Sequence, residues 1–76
     1  MNKVKRDLLK DAKALLGKAS DIVSRVLEEE EDCLENMPEN LQASEKYERM
    51  EEAINRLESA IDYIDSAQED IDEASA

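Results

Sequence analysis

The chain has 76 residues, with 21 acidic and 10 basic side chains, no His, Trp or Phe, and one each of Gly, Pro and Cys. A chain this short forms one small domain, and such a core commonly needs a disulfide, a metal or a second subunit. With one Cys and no His, neither a disulfide nor a zinc site is available, so we expect a homodimer. The same counts exclude histidine catalysis and glycine-rich phosphate loops.

The composition is typical of long amphipathic helices, with 41% charged, 41% hydrophobic and 3% aromatic residues. Disorder is the competing interpretation at a net charge of −11, but disordered acidic chains lack the strict apolar periodicity found here. The longest apolar run is Ala14-Leu15-Leu16, far short of the roughly 20 residues that cross a bilayer. We therefore expect a cytoplasmic protein without a signal peptide or membrane span.

Residues 3 to about 36 contain no Pro, and their apolar side chains repeat at helical spacing, which predicts helix 1. A first stripe runs along this helix in steps of mainly four and three residues: Leu8, Ala12, Leu15, Ala19, Ile22, Val26 and Cys33. A second stripe lies beside it: Leu9, Leu16, Val23, Leu27 and Leu34. Together they are wider than one partner helix needs, so we expect the second stripe to contact a second chain. Cys33 is predicted to be a small buried hydrophobic residue.

The only Pro predicts that helix 1 ends near Asn36 or Met37, because the residue before a proline avoids the helical region. The connection then covers residues 37–43, and Ser44 is the expected N-cap of helix 2. A short helical turn beginning at Pro38 is equally compatible with these residues.

Helix 2, about residues 44–74, has the clearest pattern in the chain. Its heptad seam consists of Tyr47, Met50, Ile54, Leu57, Ile61, Ile64, Gln68 and Ile71. We interpret Gln68, the one polar member, as a residue that sets the register or as part of a frayed end. Tyr63 lies off the seam, and the sequence leaves it equally open as a rim residue of the core or as a contact for a partner.

These patterns predict an all-α fold: an antiparallel two-helix coiled-coil hairpin, one domain over residues 1–76, that dimerises into a four-helix bundle. Parallel and antiparallel pairing of the hairpins both stay open. So does exchange of an extended helix between chains if the turn at Pro38 opens.

Charge is segregated along the chain. Residues 1–25 carry seven bases and three acids, residues 53–76 carry one base and seven acids, and residues 26–52 carry two bases and eleven acids. An antiparallel hairpin places the basic start beside the acidic end of helix 2, which offsets the unfavourable helix dipoles. This match also favours helix pairing over a membrane-surface role for the basic, leucine-containing stretch 3–18.

The hairpin also gathers eleven acids around its turn, and we call them the acidic tip: Glu28, Glu29, Glu30, Glu31, Asp32, Glu35, Glu39, Glu45, Glu48, Glu51 and Glu52. One interpretation is a solvated face that only aids solubility. The other is a binding surface whose carboxylates occupy phosphate positions on a basic, nucleic-acid-binding protein. Direct binding to nucleic acid is not expected, because the exposed charge has the wrong sign.

No enzyme, cofactor or metal is expected. The acids lack the Gly-containing calcium loop and the Glu-x-x-His motif of di-iron bundles, and a two-helix rod offers no cleft in which to raise the pKa of a catalytic acid. We assign no catalytic residue and no metal ligand.

The stretch Pro38-Glu-Asn-Leu-Gln-Ala-Ser-Glu-Lys-Tyr-Glu-Arg-Met-Glu-Glu-Ala-Ile-Asn-Arg-Leu-Glu-Ser-Ala-Ile-Asp resembles short acidic helical-hairpin proteins from phages and mobile elements of gut Firmicutes. The resemblance covers the connection and most of helix 2. It implies a bacterial host cell and, for some such proteins, inhibition of CRISPR or restriction enzymes by DNA mimicry.

The leading functional hypothesis is therefore an inhibitor that binds a nucleic-acid-handling defence protein of the host through the acidic tip, with Tyr63 as a further contact. The alternative is a non-enzymatic assembly module whose apolar stripes bind the helices of a phage or host protein.

Overall fold

The computed structural model describes all 76 residues and consists of two long helices joined by a short connection. Helix α1 spans Lys3–Glu35 and helix α2 spans Glu45–Ala74, with a single turn of 3₁₀ helix at Glu39–Leu41 between them. The helices pack side by side into a rod of 59 × 15 × 13 Å. The prediction of an all-helical hairpin is confirmed.

Both ends of α1 are capped by asparagine. The Asn2 side chain accepts a hydrogen bond of 2.8 Å from the backbone N–H of Lys5, which satisfies one of the free donors of the first turn. At the other end the Asn36 amide Nδ2 donates to the Asp32 carbonyl oxygen at 2.8 Å. The helix therefore ends just before Met37 and Pro38, where the sequence places its boundary.

The connection is a short chain of local hydrogen bonds. The backbone N–H of Leu41 donates to the Pro38 carbonyl at 2.9 Å, and that of Ser44 donates to the Leu41 carbonyl at 3.1 Å. The Ser44 hydroxyl then accepts from the Tyr47 N–H at 3.3 Å, so Ser44 is the N-cap of α2, as predicted. The helical turn that follows Pro38 matches the alternative that the sequence leaves open for the connection.

The short connection makes the two helices antiparallel, and polar contacts join them near the chain termini, which we call the open end of the rod. The Lys13 ammonium lies 2.6 Å from an Asp72 carboxylate oxygen, and the Gln68 amide Nε2 donates to the Lys13 backbone carbonyl at 3.2 Å. Gln68 thus contacts the neighbouring helix from within α2, which agrees with its interpretation as a register residue. The basic start of α1 lies beside the acidic end of α2, as the charge pattern predicts.

The core is a single thin seam. Only Ile54 is buried, at 8% exposure. The other seam residues of α2 are half-buried, in agreement with their prediction as core. On α1 the half-buried large apolar residues are those of the second stripe: Leu9, Leu16, Val23, Leu27 and Leu34.

The assignment of the two stripes was therefore wrong. We expected the second stripe to contact another chain, but it packs against α2, and the large residues of the first stripe face solvent. The physical reason is side-chain size. The second stripe contains only Leu and Val, whereas Ala12 and Ala19 interrupt the first, so the second buries more apolar area against α2.

Cys33 is a second correction. As a member of the first stripe it was predicted to be buried, but the structure places it on the exposed face of α1.

Because the structure is of one chain, assembly into a four-helix bundle stays a prediction.

The thin seam makes stability depend on few side chains. Truncating Ile54 by an Ile54→Ala change removes the most buried apolar group, so we expect a loss of about 2 to 4 kcal/mol in the free energy of unfolding. Urea denaturation at one fixed protein concentration measures it. The matched control is Tyr63→Ala, at a side chain that is 75% exposed, where a change below about 0.5 kcal/mol is expected. Equal losses at both positions would contradict the described core.

Gly17 allows a second test of helix packing. A Cβ atom at this position would lie 3.4 Å from the Gln68 amide Nε2, which is the end of a flexible side chain. Since glycine in a helix interior is disfavoured by about 0.5 to 1 kcal/mol relative to alanine, we expect Gly17→Ala to raise the free energy of unfolding by up to that amount. A lowered midpoint in thermal unfolding would instead mean that the close approach at Gly17 is required.

Candidate protein-binding surfaces

The acidic tip is brought together by the hairpin. Its members occupy the last turns of α1, the connection and the first turns of α2, so all of them lie at one end of the rod. Ten are exposed, and Glu30 is half-buried. The structure therefore gathers the full predicted set: Glu28, Glu29, Glu30, Glu31, Asp32, Glu35, Glu39, Glu45, Glu48, Glu51 and Glu52.

The helix dipoles favour the position of the acids in α2 but not the position of those in α1. Glu45 and Glu48 lie in the first turn of α2, where the helix dipole favours negative charge. The opposite holds for α1, which ends in acids and has no base in its last turn. The acids of α1 are therefore held against an unfavourable dipole by the packing of the hairpin.

The carboxylates of the acidic tip are almost entirely unpaired. Glu45 accepts a hydrogen bond from the Arg49 guanidinium at 2.5 Å, and no other tip carboxylate has an ion-pair partner. Residues 26–52 have a net charge of −9, from eleven acids and two bases. Spread over about 15 to 20 Å of helix rise, this is roughly one charge per 2 Å, compared with about 1.7 Å for duplex DNA. The tip thus approaches the linear charge density of DNA.

Tyr63 does not belong to the acidic tip. It is 75% exposed, which decides against its being a rim residue of the core. It follows Glu52 by eleven residues in the same helix, about 16 Å along the axis. A contact to a partner at Tyr63 would therefore be separate from contacts at the tip.

A second candidate surface is apolar, and it lies on the first stripe of α1 and not on the second, where the sequence analysis expected a contact. The first stripe of α1 exposes a line of aliphatic side chains, with Leu8 at 62%, Leu15 at 65% and Ile22 at 59% exposure, and Val4 beside them at 69%. Large exposed apolar patches mark interaction sites on proteins. The signal in the sequence is the alternation of Leu with Ala, which distinguishes this stripe from the all-large second stripe.

No group of three or more Cys, Asp or Glu side chains is arranged to hold a metal ion. Neither helix contains a stretch long and apolar enough to span a membrane. Comparison with protein-family models, with curated proteins and with solved structures finds no match for this chain.

The repulsion at the acidic tip predicts a measurable gain on neutralising one of its charges. Glu31 faces Glu35 one helical turn away, so Glu31→Gln should raise the free energy of unfolding by about 0.2 to 0.5 kcal/mol in low salt. The gain should disappear at about 1 M salt, where the charges are screened.

The matched control removes a negative charge that lies among bases. Asp21 is spaced three and four residues from Lys18 and Arg25, so Asp21→Asn should lower stability in low salt. Chemical denaturation of both variants at two salt concentrations gives the comparison. The same sign for both variants would contradict the electrostatic account of the tip.

Proposed function

We propose that the protein is a non-enzymatic inhibitor that binds a nucleic-acid-handling protein through the acidic tip, with the carboxylates in the place of nucleic-acid phosphates. The observation that carries this proposal is the collection of eleven acids, ten of them exposed, at one end of a rod of two packed helices. A solubilising role alone does not require the charge to be concentrated at one end.

The physics of recognition follows from the charge density. A surface built to bind DNA carries Lys and Arg residues that neutralise closely spaced phosphates. The unpaired tip carboxylates present a similar spacing of negative charge, so they would be attracted to that surface and compete with nucleic acid for it. The helical scaffold holds these groups in place before binding, which lowers the entropy lost on association.

The resemblance to acidic hairpin proteins of phages and mobile elements supports a particular class of target. A host defence nuclease of the CRISPR or restriction type has the required basic DNA-binding surface. Such a target places the inhibitor in the cytoplasm of the bacterial host. No direct contact with nucleic acid and no cofactor are part of the proposal.

A second candidate function is an assembly module that binds a helix of another phage or host protein. The exposed first stripe of α1 is the observation in its favour. The two functions differ in their dependence on salt: contacts of the acidic tip weaken as ionic strength rises, whereas an apolar helix-in-groove contact is nearly indifferent to it.

The proposal is tested by reversing charge at the tip. Glu48→Lys and Glu52→Lys together alter two exposed acids of α2 that lie outside its seam. The tagged protein is used to capture its target from bacterial lysate in low salt. We expect a DNA-binding protein that is released by moderate salt and competed away by duplex DNA, and that the double variant retains at least about tenfold less of it.

Asp62→Lys with Glu69→Lys is the matched control, because it makes the same change in net charge on exposed residues of α2 away from the tip. This control should capture the target as the parent does. Retention that withstands salt, or that both double variants reduce equally, would exclude the tip as a DNA-like surface and favour the assembly module.

A further inference from the structure

We propose that the first stripe of α1 is the interface of a homodimer, in which it packs antiparallel against the first stripe of a second copy. The stripe is available for this role because α2 leaves its large residues uncovered: Leu8, Leu15 and Ile22 are each at least 59% exposed, while Ala12 and Ala19 between them are half-buried. The inference does not rest on the proposed function, although its register pairs Glu29 of the acidic tip with Lys5 of the second copy.

The hairpin alone is short of buried surface. One residue out of 76 is buried, and domains of this size are marginal even with a full core. The paired layers run from Lys5 to Glu29, about 36 Å, so a strip about 10 Å wide would bury roughly 360 Å² on each chain, or about 700 Å² in total, which is the size of a weak interface. Two hairpins joined in this way form a four-helix assembly with α1 at its centre.

The order of side chains along the stripe matches an antiparallel copy of itself. When Leu15 lies opposite Ala19 of a second chain, the neighbouring layers pair a larger with a smaller residue in each case. Small residues opposite large ones allow two helices to interdigitate. The resulting layers are Leu8 with Val26, Ala12 with Ile22, Leu15 with Ala19, and their symmetric equivalents.

The same register pairs the charged positions of the stripe. Continuing the steps of three and four beyond Leu8 and Val26 leads to Lys5 and Glu29, and these two residues fall opposite each other in the next layer. A shift by one heptad would instead place Glu29 opposite Ala12, without a partner. The charged ends of the stripe therefore favour one register over its neighbours.

Charge along the whole helix favours the antiparallel direction. Residues 1–25 have a net charge of +4, and the six acids of residues 26–35 are accompanied by no base. Antiparallel packing brings each basic segment to the acidic segment of the other chain, and it places Asp11 beside Arg25 along the edge. Parallel packing would set two acidic tips side by side. Lys18, which lies near the symmetry axis, is the one like-charged contact of the antiparallel arrangement.

Sedimentation equilibrium tests for the interface. We expect the parent protein to be a dimer at about 100 μM. Leu15→Glu with Ile22→Glu places two charges on the stripe without altering a half-buried residue of the hairpin, and it should raise the dissociation constant at least about 100-fold. Tyr63→Glu, at an aromatic residue of α2 that is 75% exposed, should leave the dimer unchanged.

Disulfide formation tests direction and register. In a Cys33→Ser background, a chain carrying both Leu8→Cys and Val26→Cys should form covalent dimers on mild oxidation. The two positions are about 27 Å apart in one helix and cannot react within a chain. Each single-cysteine variant should stay a monomer on a non-reducing gel, because its thiols lie far apart in the antiparallel dimer.

Three outcomes would overturn the proposal. One is a parent that remains monomeric at about 100 μM, as expected if the stripe serves a helix of another protein. Another is a dimer that Leu15→Glu with Ile22→Glu does not weaken. The third is efficient cross-linking of the single-cysteine variants, which would show a parallel pair. The cross-linking result stays informative even if the glutamate variant unfolds.

Discussion

Two helices share only one interface, and this constraint governs the rest of the molecule. A helix that carries two apolar stripes can turn only one of them towards its partner in a hairpin. Here the stripe of larger residues faces α2, and the large residues of the stripe that contains Ala12 and Ala19 are left in solvent. The hairpin is thus well specified in its fold but incompletely covered, so association is the natural way to bury the remaining apolar surface.

Charge segregation is the second organising feature. The basic start of α1 lies beside the acidic end of α2, where the Lys13 to Asp72 ion pair and the Gln68 hydrogen bond hold the register. The remaining acids collect at the turn, where Lys46 and Arg49 are the only bases among them. The charge segregation that stabilises the open end of the rod therefore leaves mutually repelling carboxylates at the turn. In the proposed function, these carboxylates bind the partner.

Much of this structure is predictable from the sequence because its signals are local. Ser44 and Pro38 mark the connection through capping and backbone geometry, and the heptads of α2 offer only one apolar face. The choice between the stripes of α1 is not local. Both have helical spacing, so periodicity alone placed Cys33 in the core. The volume of the side chains decides which stripe packs against α2, and its effect appears only when the two helices are packed together. The position of the acidic tip could be predicted because it follows from the antiparallel topology alone. The function of the tip could not, because it depends on a partner whose identity is not written in this sequence.

Small-angle X-ray scattering tests the central claim most directly, since it reports mass and length together. Two hairpins packed antiparallel through α1 should double the mass while the longest dimension stays close to the 59 Å of one rod. An exchange of extended helices would lengthen the particle to about 110 Å. That length, or the mass of a single chain, would contradict an account in which the exposed stripe of a closed hairpin is covered by its own copy.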